Sequence, residues 1–296
     1  MSQSATVIAT FSRRMRLRLA HDELVDAKIK GKRLTPVCGD RVTAEPIANE
    51  SDWLITGIED RRNALTRPNL RGKVEVLAAN IDCLVVVASL APAPDWFIVD
   101  RYLCAAESMR VPALVVFNKV DLLEDDSQTE EALSVYAAID YQTILCSALE
   151  RKGIDELRAA LHGNTAIIVG QSGVGKSSLI NCLIPDAQQK TASISDKSRE
   201  GKHTTVNSRM LDLPDGGYVI DSPGVRDYAP ALQSVAEVER GFREIHDRGH
   251  DCRFHNCRHL QEPGCAVQDA VDARSISARR YESYKRTLRL TRDLTK

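Results

Sequence analysis

The stretch Gly170-Gln171-Ser172-Gly173-Val174-Gly175-Lys176-Ser177 decides how the central part of this 296-residue chain folds. It matches the pattern G-x-x-x-x-G-K-[S/T] and lies between an apolar run at 166–169 and a helix-like run that begins at its lysine. In that context the glycines let backbone N–H groups surround phosphate groups, and the helix N-terminus adds the positive end of its dipole. We therefore expect a phosphate-binding loop in which Lys176 reaches the β- and γ-phosphates and Ser177 ligates Mg²⁺, with Ser178 beside them.

A second motif indicates which base is bound. Asn118-Lys119-Val120-Asp121 directly follows a strand-like run. The Asp121 carboxylate can accept hydrogen bonds from N1–H and the 2-amino group of guanine, whereas adenine would leave this carboxylate without partners. We expect Asn118 to brace the loop and the Lys119 stem to cover the base. The pair Ser147-Ala148, which also follows a strand-like run, is expected to offer a backbone N–H to the guanine O6.

A third set of residues is expected to respond to the γ-phosphate. Asp221-Ser222-Pro223-Gly224 matches D-x-x-G, in which the aspartate holds Mg²⁺ through water and the glycine N–H contacts the γ-phosphate. Upstream, the polar stretch 201–205 reads Gly-Lys-His-Thr-Thr and suits a switch loop, one threonine of which should reach Mg²⁺. Val225 stands where Ras-like enzymes carry the glutamine that orients water. His203 is therefore the candidate to position or deprotonate water, with an exposed loop histidine as the alternative.

The order of these motifs along the chain is unusual. Ordinary GTPases run from the phosphate-binding loop through the switch threonine and D-x-x-G to N-K-x-D and S-A, whereas here the last two motifs come first. A circular permutation accounts for this order, because chain termini and loop tips can be relocated without disturbing the site. The permutation also places D-x-x-G directly before the C-terminal part of the chain.

The parts on either side of this core have different sequence patterns. Near the N-terminus there are five short strand-like segments: 6–11, 15–20, 24–30, 41–44 and 53–58. They fit a small barrel of the OB or SH3 type, for which RNA binding is plausible. From residue 74, strand-like and helix-like runs alternate, which indicates a parallel α/β sheet. After residue 230, helix-favouring sequence surrounds a group of cysteines. We expect three domains, at residues 1–66, 67–230 and 231–296.

The C-terminal cysteine group has the composition of a structural zinc site. Its members, with one histidine, are Cys252, Cys257, His259 and Cys265. Three thiolates and one imidazole complete a tetrahedral Zn²⁺ shell with no open position, which is typical of a structural ion. His255 could replace His259 as the fourth ligand, and His250 is also nearby.

Composition and charge limit the class of protein and its partners. Charged residues make up 27% of the chain and hydrophobic residues 43%, as in globular proteins, and no apolar run approaches the ~20 residues of a membrane span. The eight cysteines fit reduced thiols, and with no secretory signal at the start they predict a cytoplasmic protein that contacts no membrane. The net charge of −1 hides basic ends, +5 over 1–35 and +6 over 273–296, which fit either a polyanion partner or a solvated surface.

A small barrel, a permuted GTPase core and a C-x4-C-x-H-x5-C module together resemble the circularly permuted, small-ribosomal-subunit-dependent GTPases of the RsgA/YjeQ family. The resemblance extends over essentially the whole chain and includes the stretches 61–68, 79–82 and 201–205. It implies a multidomain α/β protein with an OB-type barrel, a circularly permuted P-loop GTPase domain and a helical zinc-binding domain. It further implies His203 as the hydrolytic residue and Thr205 as the switch threonine. The zinc ligands that it implies are Cys252, Cys257, His259 and Cys265.

The motifs and the resemblance together predict a monomeric GTPase that binds GTP or GDP with Mg²⁺ and carries one structural zinc ion. We expect it to dock on the 30S ribosomal subunit and its rRNA, to act in late subunit maturation and to hydrolyse GTP there with Lys176, Thr205 and His203. Two alternatives stay open. One is a nucleotide-gated RNA-binding module with negligible catalysis, which stays open because Val225 stands in place of the water-orienting glutamine, and the other is a GTPase that acts on another RNA.

Overall fold

The computed structural model forms one continuous eleven-stranded sheet with helices packed around part of it. The structure describes residues 2–12, 14–31, 33–68, 74–123, 127–184, 206–222, 232 and 234–294. Within these ranges, no helix is long and apolar enough to span a membrane.

The five N-terminal strands close into a barrel. They are β1 (Gln3–Phe11), β2 (Met15–Arg18), β3 (Leu24–Ile29), β4 (Arg41–Pro46) and β5 (Trp53–Ile58). Pairing runs β1-β2-β3-β5-β4 and returns to β1, because β1 pairs with β4 through residues 3–6 and with β2 through residues 6–10. Alternate side chains point inward, and Val7, Leu17 and Ile55 are completely buried. The predicted barrel is confirmed, and its closed set of five strands is OB-like.

A short hairpin joins the barrel to the central domain. It consists of β6 (Ala64–Pro68) and β7 (Val74–Ala79), which pair antiparallel as a separate two-stranded sheet. The sequence of the polar stretch 61–72 predicts a linker. In the structure, Leu65 is buried in the core of the central domain and pairs with Ala78. Leu65 therefore gives β6 an apolar contact with the central core, and residues 66 and 67, on either side of the predicted domain boundary, both lie in this strand.

The central domain is a mostly parallel sheet covered on both faces. Its strands are β8 (Cys83–Ser89), β9 (Ala113–Asn118), β10 (Gln142–Leu145), β11 (Thr165–Gly170), β12 (Val206–Asp212) and β13 (Tyr218–Asp221). They lie in the order β10-β9-β8-β11-β13-β12, with only β12 antiparallel to its neighbour β13 within this group. The strand that carries N-K-x-D precedes the strand that carries the phosphate-binding loop, which confirms the circular permutation.

Among the described residues, four helices cover this sheet. They are α1 (Trp96–Met109), α2 (Ser127–Ala137), α3 (Ile154–Leu161) and α4 (Lys176–Leu183). Strand β8 is buried on both faces, and its side chains alternate between two cores: Leu84 and Val86 pack on the side of α1 and α2, Val85 and Val87 on the side of α3 and α4. Such a continuous apolar run is what a parallel strand between two helical layers requires.

The C-terminal part is helical and rests on α1. Its helices are α5 (Val235–Gly241), α6 (Arg243–Gly249), α7 (Ala266–Asp272) and α8 (Ala278–Leu294). Their core contains two of the clustered cysteines together with Phe242 and Tyr284, and it also takes in Cys104 of α1. The predicted helical domain around a metal-binding group is therefore confirmed, and its core is shared with the central domain.

Candidate nucleotide-binding site and metal centre

The phosphate-binding loop lies between β11 and α4, where the sequence predicts it. Gly170, Gly173 and Gly175 have φ angles of +136°, +81° and +94°. A Cβ at Gly170 would lie 2.2 Å from the carbonyl oxygen of Val87, and one at Gly175 would lie 2.2 Å from the side-chain nitrogen of Asn118. Glycine is required at both positions because the backbone is left-handed and the neighbouring atoms leave no room.

The polar side chains of this loop lie at the N-terminus of α4. The Lys176 ammonium donates to the carbonyl oxygens of Gly170 and Gln171, each at 2.6 Å, so it is held close to the loop backbone. Ser177 and Ser178 are exposed at the start of the helix, whereas Val174 is fully buried and anchors the loop in the core. The loop therefore places a cation and two exposed hydroxyls at the N-terminus of α4, the end of a helix that favours anions.

Asn118 connects three loops. Its side chain is buried, its Nδ2 donates to the carbonyl oxygen of Val174 at 2.9 Å, and its Oδ1 accepts from the N–H of Ala148 at 3.1 Å. Lys119, in a left-handed conformation, donates to the carbonyl oxygen of Gly173 at 2.8 Å and also to that of Ala91. The predicted base-binding and phosphate-binding elements are thus joined by direct hydrogen bonds.

The carboxylate of Asp121 is oriented by the neighbouring S-A element. Ser147 Oγ donates to Asp121 and accepts from the N–H of Glu150 at 3.0 Å. The N–H of Val120 donates to the carbonyl oxygen of Cys146 at 3.1 Å, which holds the two loops side by side. The backbone of Val120 therefore has a structural part in this site, while Asp121 supplies the acceptor that guanine would need.

The structure describes the first two residues of the D-x-x-G segment, Asp221 and Ser222. Asp221 ends β13 and lies 3.3 Å from the Arg209 guanidinium across the strand pair β12–β13. Ser208 and Ser222 are joined by a 2.9 Å hydrogen bond between their hydroxyls. The predictions for His203, Thr205 and Gly224 fall outside the described residues.

The cysteine group forms a compact cluster. It contains Cys252, Cys257, His259 and Cys265, whose ligand atoms all lie within 4.8 Å of one another. His259 Nδ1 is 3.4 Å from the sulfur of Cys252 and 3.5 Å from that of Cys265, and these two sulfurs are 3.9 Å apart. Sulfurs around a tetrahedral zinc ion lie about 3.8 Å apart at the usual Zn–S distance. The donor set therefore fits a metal ion, and neither His250 nor His255 belongs to it.

The surroundings of the cluster suit metal binding. Burial lowers the pKa of His259, which favours the neutral imidazole that a metal ion requires. The Glu262 carboxylate accepts three backbone N–H bonds from residues 258, 260 and 261 at 2.8–3.0 Å. Burial alone would raise the pKa of Glu262, but these donors outweigh it and lower the pKa to about 2. Tyr281 donates to the carbonyl oxygen of His259 at 2.5 Å, so helix α8 also fixes this loop.

Some residues at the site are not evident from the motifs. The N–H of Asp95 donates to the side chain of Gln171 at 3.1 Å, while its carboxylate caps α1 by accepting from Phe97 and Ile98. The position of an aspartate before an apolar helical run is a cap signal that could have been read from the sequence. The pairing of Arg209 with Asp221 carries no such local signal, because it depends on the register of two strands.

Comparison with known proteins accounts for this combination. A family model described as RsgA GTPase matches residues 58–230. The chain is 36% identical over 293 residues to the small ribosomal subunit biogenesis GTPase RsgA of Mannheimia succiniciproducens, which covers 97% of this chain and 83% of the relative. This chain belongs to the RsgA GTPase family.

Solved structures agree with membership of the RsgA family. The crystal structure of YjeQ from Thermotoga maritima superposes with a TM-score of 0.78 at 28% identity, covering 98% of this chain and 99% of that one. The structure of YloQ, described as a circularly permuted GTPase, superposes with a TM-score of 0.74 at 24% identity, covering 99% and 96%, and so supports the fold. The chain is therefore a circularly permuted GTPase, as the motif order predicts.

Proposed function

We propose that this chain binds the small ribosomal subunit, acts in its maturation and hydrolyses GTP to GDP and phosphate on the subunit. The relatives that share its architecture are named for small-subunit biogenesis. One observation carries the nucleotide-binding part of the proposal: the buried Asn118 amide joins the phosphate-binding loop at Val174 to the S-A loop at Ala148. Phosphate-binding and base-binding groups therefore belong to one pocket.

The roles that we propose follow the chemistry of each side chain. Lys176 and the N–H groups of residues 170–175 stabilise charge on the β- and γ-phosphates, and Asp121 selects guanine. His203 positions or deprotonates the attacking water. Mg²⁺, held by Ser177, Thr205 and, through water, Asp221, would neutralise phosphate charge when bound.

The remaining assignments concern the flanking parts. We propose that residues 1–66 form an RNA-binding barrel, residues 67–230 the GTPase domain and residues 231–296 a domain stabilised by one structural zinc ion. Closed three-thiolate, one-imidazole sites leave no coordination position for substrate, so the ion supports the fold. We further propose that the protein is a cytoplasmic monomer that contacts the rRNA of the subunit.

The decisive experiment is GTP hydrolysis by the full chain with no addition, with purified 30S subunits and with 50S subunits. We expect stimulation by 30S alone and its loss in His203→Ala, while His162→Ala, which truncates an exposed histidine elsewhere, keeps it. Equal rates in all three mixtures would contradict the ribosomal role. GTP-dependent RNA binding without turnover would favour a nucleotide-gated module, and stimulation by 50S would favour a different RNA.

Base selection can be tested separately at Asp121. Asp121→Asn replaces one of the two acceptor oxygens of the carboxylate by an NH₂ donor. This donor fits the carbonyl oxygen that xanthine carries in place of the guanine 2-amino group. We expect affinity to move from GTP toward xanthosine triphosphate, measured by competition with a fluorescent nucleotide. Unchanged GTP affinity would show that Asp121 does not contact the base.

The metal assignment is tested by elemental analysis of the purified chain. We expect about one zinc per chain, lost in Cys252→Ser because a hydroxyl is a poor zinc ligand. Cys38→Ser removes a buried thiol far from the cluster and should retain the ion. A chain without zinc that is as stable as one loaded with it would argue against a structural ion.

A further inference from the structure

The loop between the first two cysteines of the metal cluster carries an unusual side chain. Phe254 is 41% exposed, and it is the one aromatic residue among those described that reaches this degree of exposure. Single exposed aliphatic residues are common and need no explanation. A phenylalanine held out from a small domain is different, because its ring offers a partner a broad, flat apolar face.

The backbone around Phe254 is held at both ends. Cys252 and Cys257 both belong to the metal cluster, so only four residues lie between two ligand positions. The N–H of Arg253 donates to the carbonyl oxygen of Gly264 at 3.1 Å, and the N–H of Cys257 donates to that of Phe254 at 3.1 Å. A loop fixed in this way presents the ring at little cost in conformational entropy when a partner binds.

The surroundings of the ring are polar and cationic. The Arg253 guanidinium lies 5.5 Å from the ring centroid of Phe254 and, within the described part of the chain, forms no ion pair. His255 and Asn256, the next two residues, are exposed as well. The tip therefore combines one flat apolar face, one available cation and hydrogen-bonding groups.

This combination matches one class of partner. An unpaired nucleotide has a flat base that stacks on an aromatic ring, and it carries a phosphate that pairs with a guanidinium. A protein partner would be expected to meet a cluster of apolar anchors, but the neighbours of this ring are polar. We propose that Phe254 and Arg253 form a stacking platform, on which an unpaired base of RNA stacks against the ring while Arg253 contacts its phosphate. The proposal rests on the proposed function, which supplies an RNA partner.

The test uses the full chain and a single-stranded oligoadenylate that contains one 2-aminopurine, whose fluorescence falls when it stacks. We expect the wild-type chain to quench this emission. Phe254→Leu keeps an apolar side chain of similar size but loses the aromatic face, so we expect affinity to fall by about tenfold and quenching to disappear. Phe254→Trp should retain both, because indole stacks at least as well.

Arg253→Gln separates the two parts of the platform. We expect it to retain quenching while reducing the slope of log affinity against log salt by about one, as the loss of one phosphate contact requires. Leu290→Ala removes an exposed apolar side chain from helix α8 of the same domain and should change neither quantity. Equal zinc content and thermal stability in all variants would exclude damage to the fold.

The same variants are then bound to purified 30S subunits and to protein-free rRNA. Weaker binding of Phe254→Leu to both supports the platform, whereas a loss on subunits alone points to a ribosomal protein and overturns it. The proposal is also overturned if Phe254→Leu binds the oligonucleotide as the wild type does, or if no variant alters quenching. A wild-type chain that quenches the oligonucleotide but is not stimulated by 30S would contradict the proposed function and leave the platform supported.

Discussion

The two flanking parts of the molecule are attached to the GTPase domain in different ways. The barrel is joined to the sheet through backbone: β1 pairs antiparallel with β12, with Ala9 opposite Arg209 and Thr10 opposite Ser208, and Ile8 of β1 adds an apolar contact with the central core. The C-terminal domain is joined through buried side chains on α1, where the guanidinium of Arg280 lies 2.8 Å from the Asp100 carboxylate. Main-chain pairing tolerates most changes of side chain, whereas a buried ion pair depends on both partners.

The two attachments also reach different parts of the nucleotide site. Strand β12 lies beside β13, which ends at Asp221, so the barrel is hydrogen-bonded to the strand pair that leads into D-x-x-G. Helix α1 begins after Asp95, whose N–H donates to Gln171 of the phosphate-binding loop. Each flanking domain therefore has its own structural connection to the site, one through a sheet and one through a helix.

The largest effect is expected at the buried ion pair. Arg280 is 1% exposed and also bonds Glu244 through two nitrogens at 2.6 and 3.0 Å. Arg280→Met would take the bonded cation away from the buried Asp100 and the half-buried Glu244, leaving only Arg279 at 4.0 Å from Asp100, and should cost about 3–5 kcal/mol of unfolding free energy, measured by urea denaturation. Lys285→Met, in the same helix, removes a cation paired with the exposed Glu282 and should cost less than about 1 kcal/mol.

A double variant sharpens this prediction. Arg280→Met combined with Asp100→Asn removes one of the stranded charges together with the cation, so the two costs should not add. If the unfolding free-energy costs of the two single variants add up to the cost of the double variant, the ion pair does not couple the C-terminal domain to α1.

A smaller effect is expected where α5 meets α1. A Cβ at Gly241 would lie 1.9 Å from the sulfur of Cys104 and 3.0 Å from its Cα. Gly241→Ala should therefore force the two helices apart and cost about 1–3 kcal/mol. Gly57→Ala in the barrel is the matched control, because its Cβ would lie 4.0 Å from Thr43, and thermal melts should separate the two variants.

A second substitution can test the cause of this cost. Cys104→Ala removes the sulfur but leaves the Cβ and Cα, which lie 2.9 and 3.0 Å from the added methyl group. It should relieve the strain of Gly241→Ala only in part. If Cys104→Ala restored the full stability of Gly241→Ala, the steric clash would involve the sulfur alone.

The smallest effect is expected at the junction with the barrel. Arg18 of β2 contacts Asp212 of β12 at 2.8 Å, but the aspartate side chain is 55% exposed. Arg18→Gln should therefore change stability by less than about 1 kcal/mol, since solvent screens the pair and the backbone pairing stays in place. A loss comparable to that of Arg280→Met, measured by the same denaturation, would contradict the view that the backbone carries this junction.

The nucleotide motifs were readable from the sequence because each requirement is local. Gly170 and Gly175 must adopt left-handed backbone beside close neighbours, and Asn118 must end a buried strand, so residue type and context identify the loops. The order of the motifs likewise predicts the permutation, because the permutation is a property of chain order.

Other features depend on which segments meet in space. Five short strands fit an OB or an SH3 barrel equally well, and the pairing of β1 with both β2 and β4 selects the OB-like closure. Three histidines lie near the cysteines in the sequence, but the chain path brings only His259 among them.

The sequence by itself predicted the nucleotide-binding motifs, the permuted order and the composition of the cysteine and histidine cluster, because each is written in short runs of neighbouring residues. Only the tertiary structure decided how the domains are joined. Arg280 meets Asp100 from 180 positions away, and Arg209 meets Asp221 through strand register. No local pattern encodes such contacts, since they depend on how the whole chain packs.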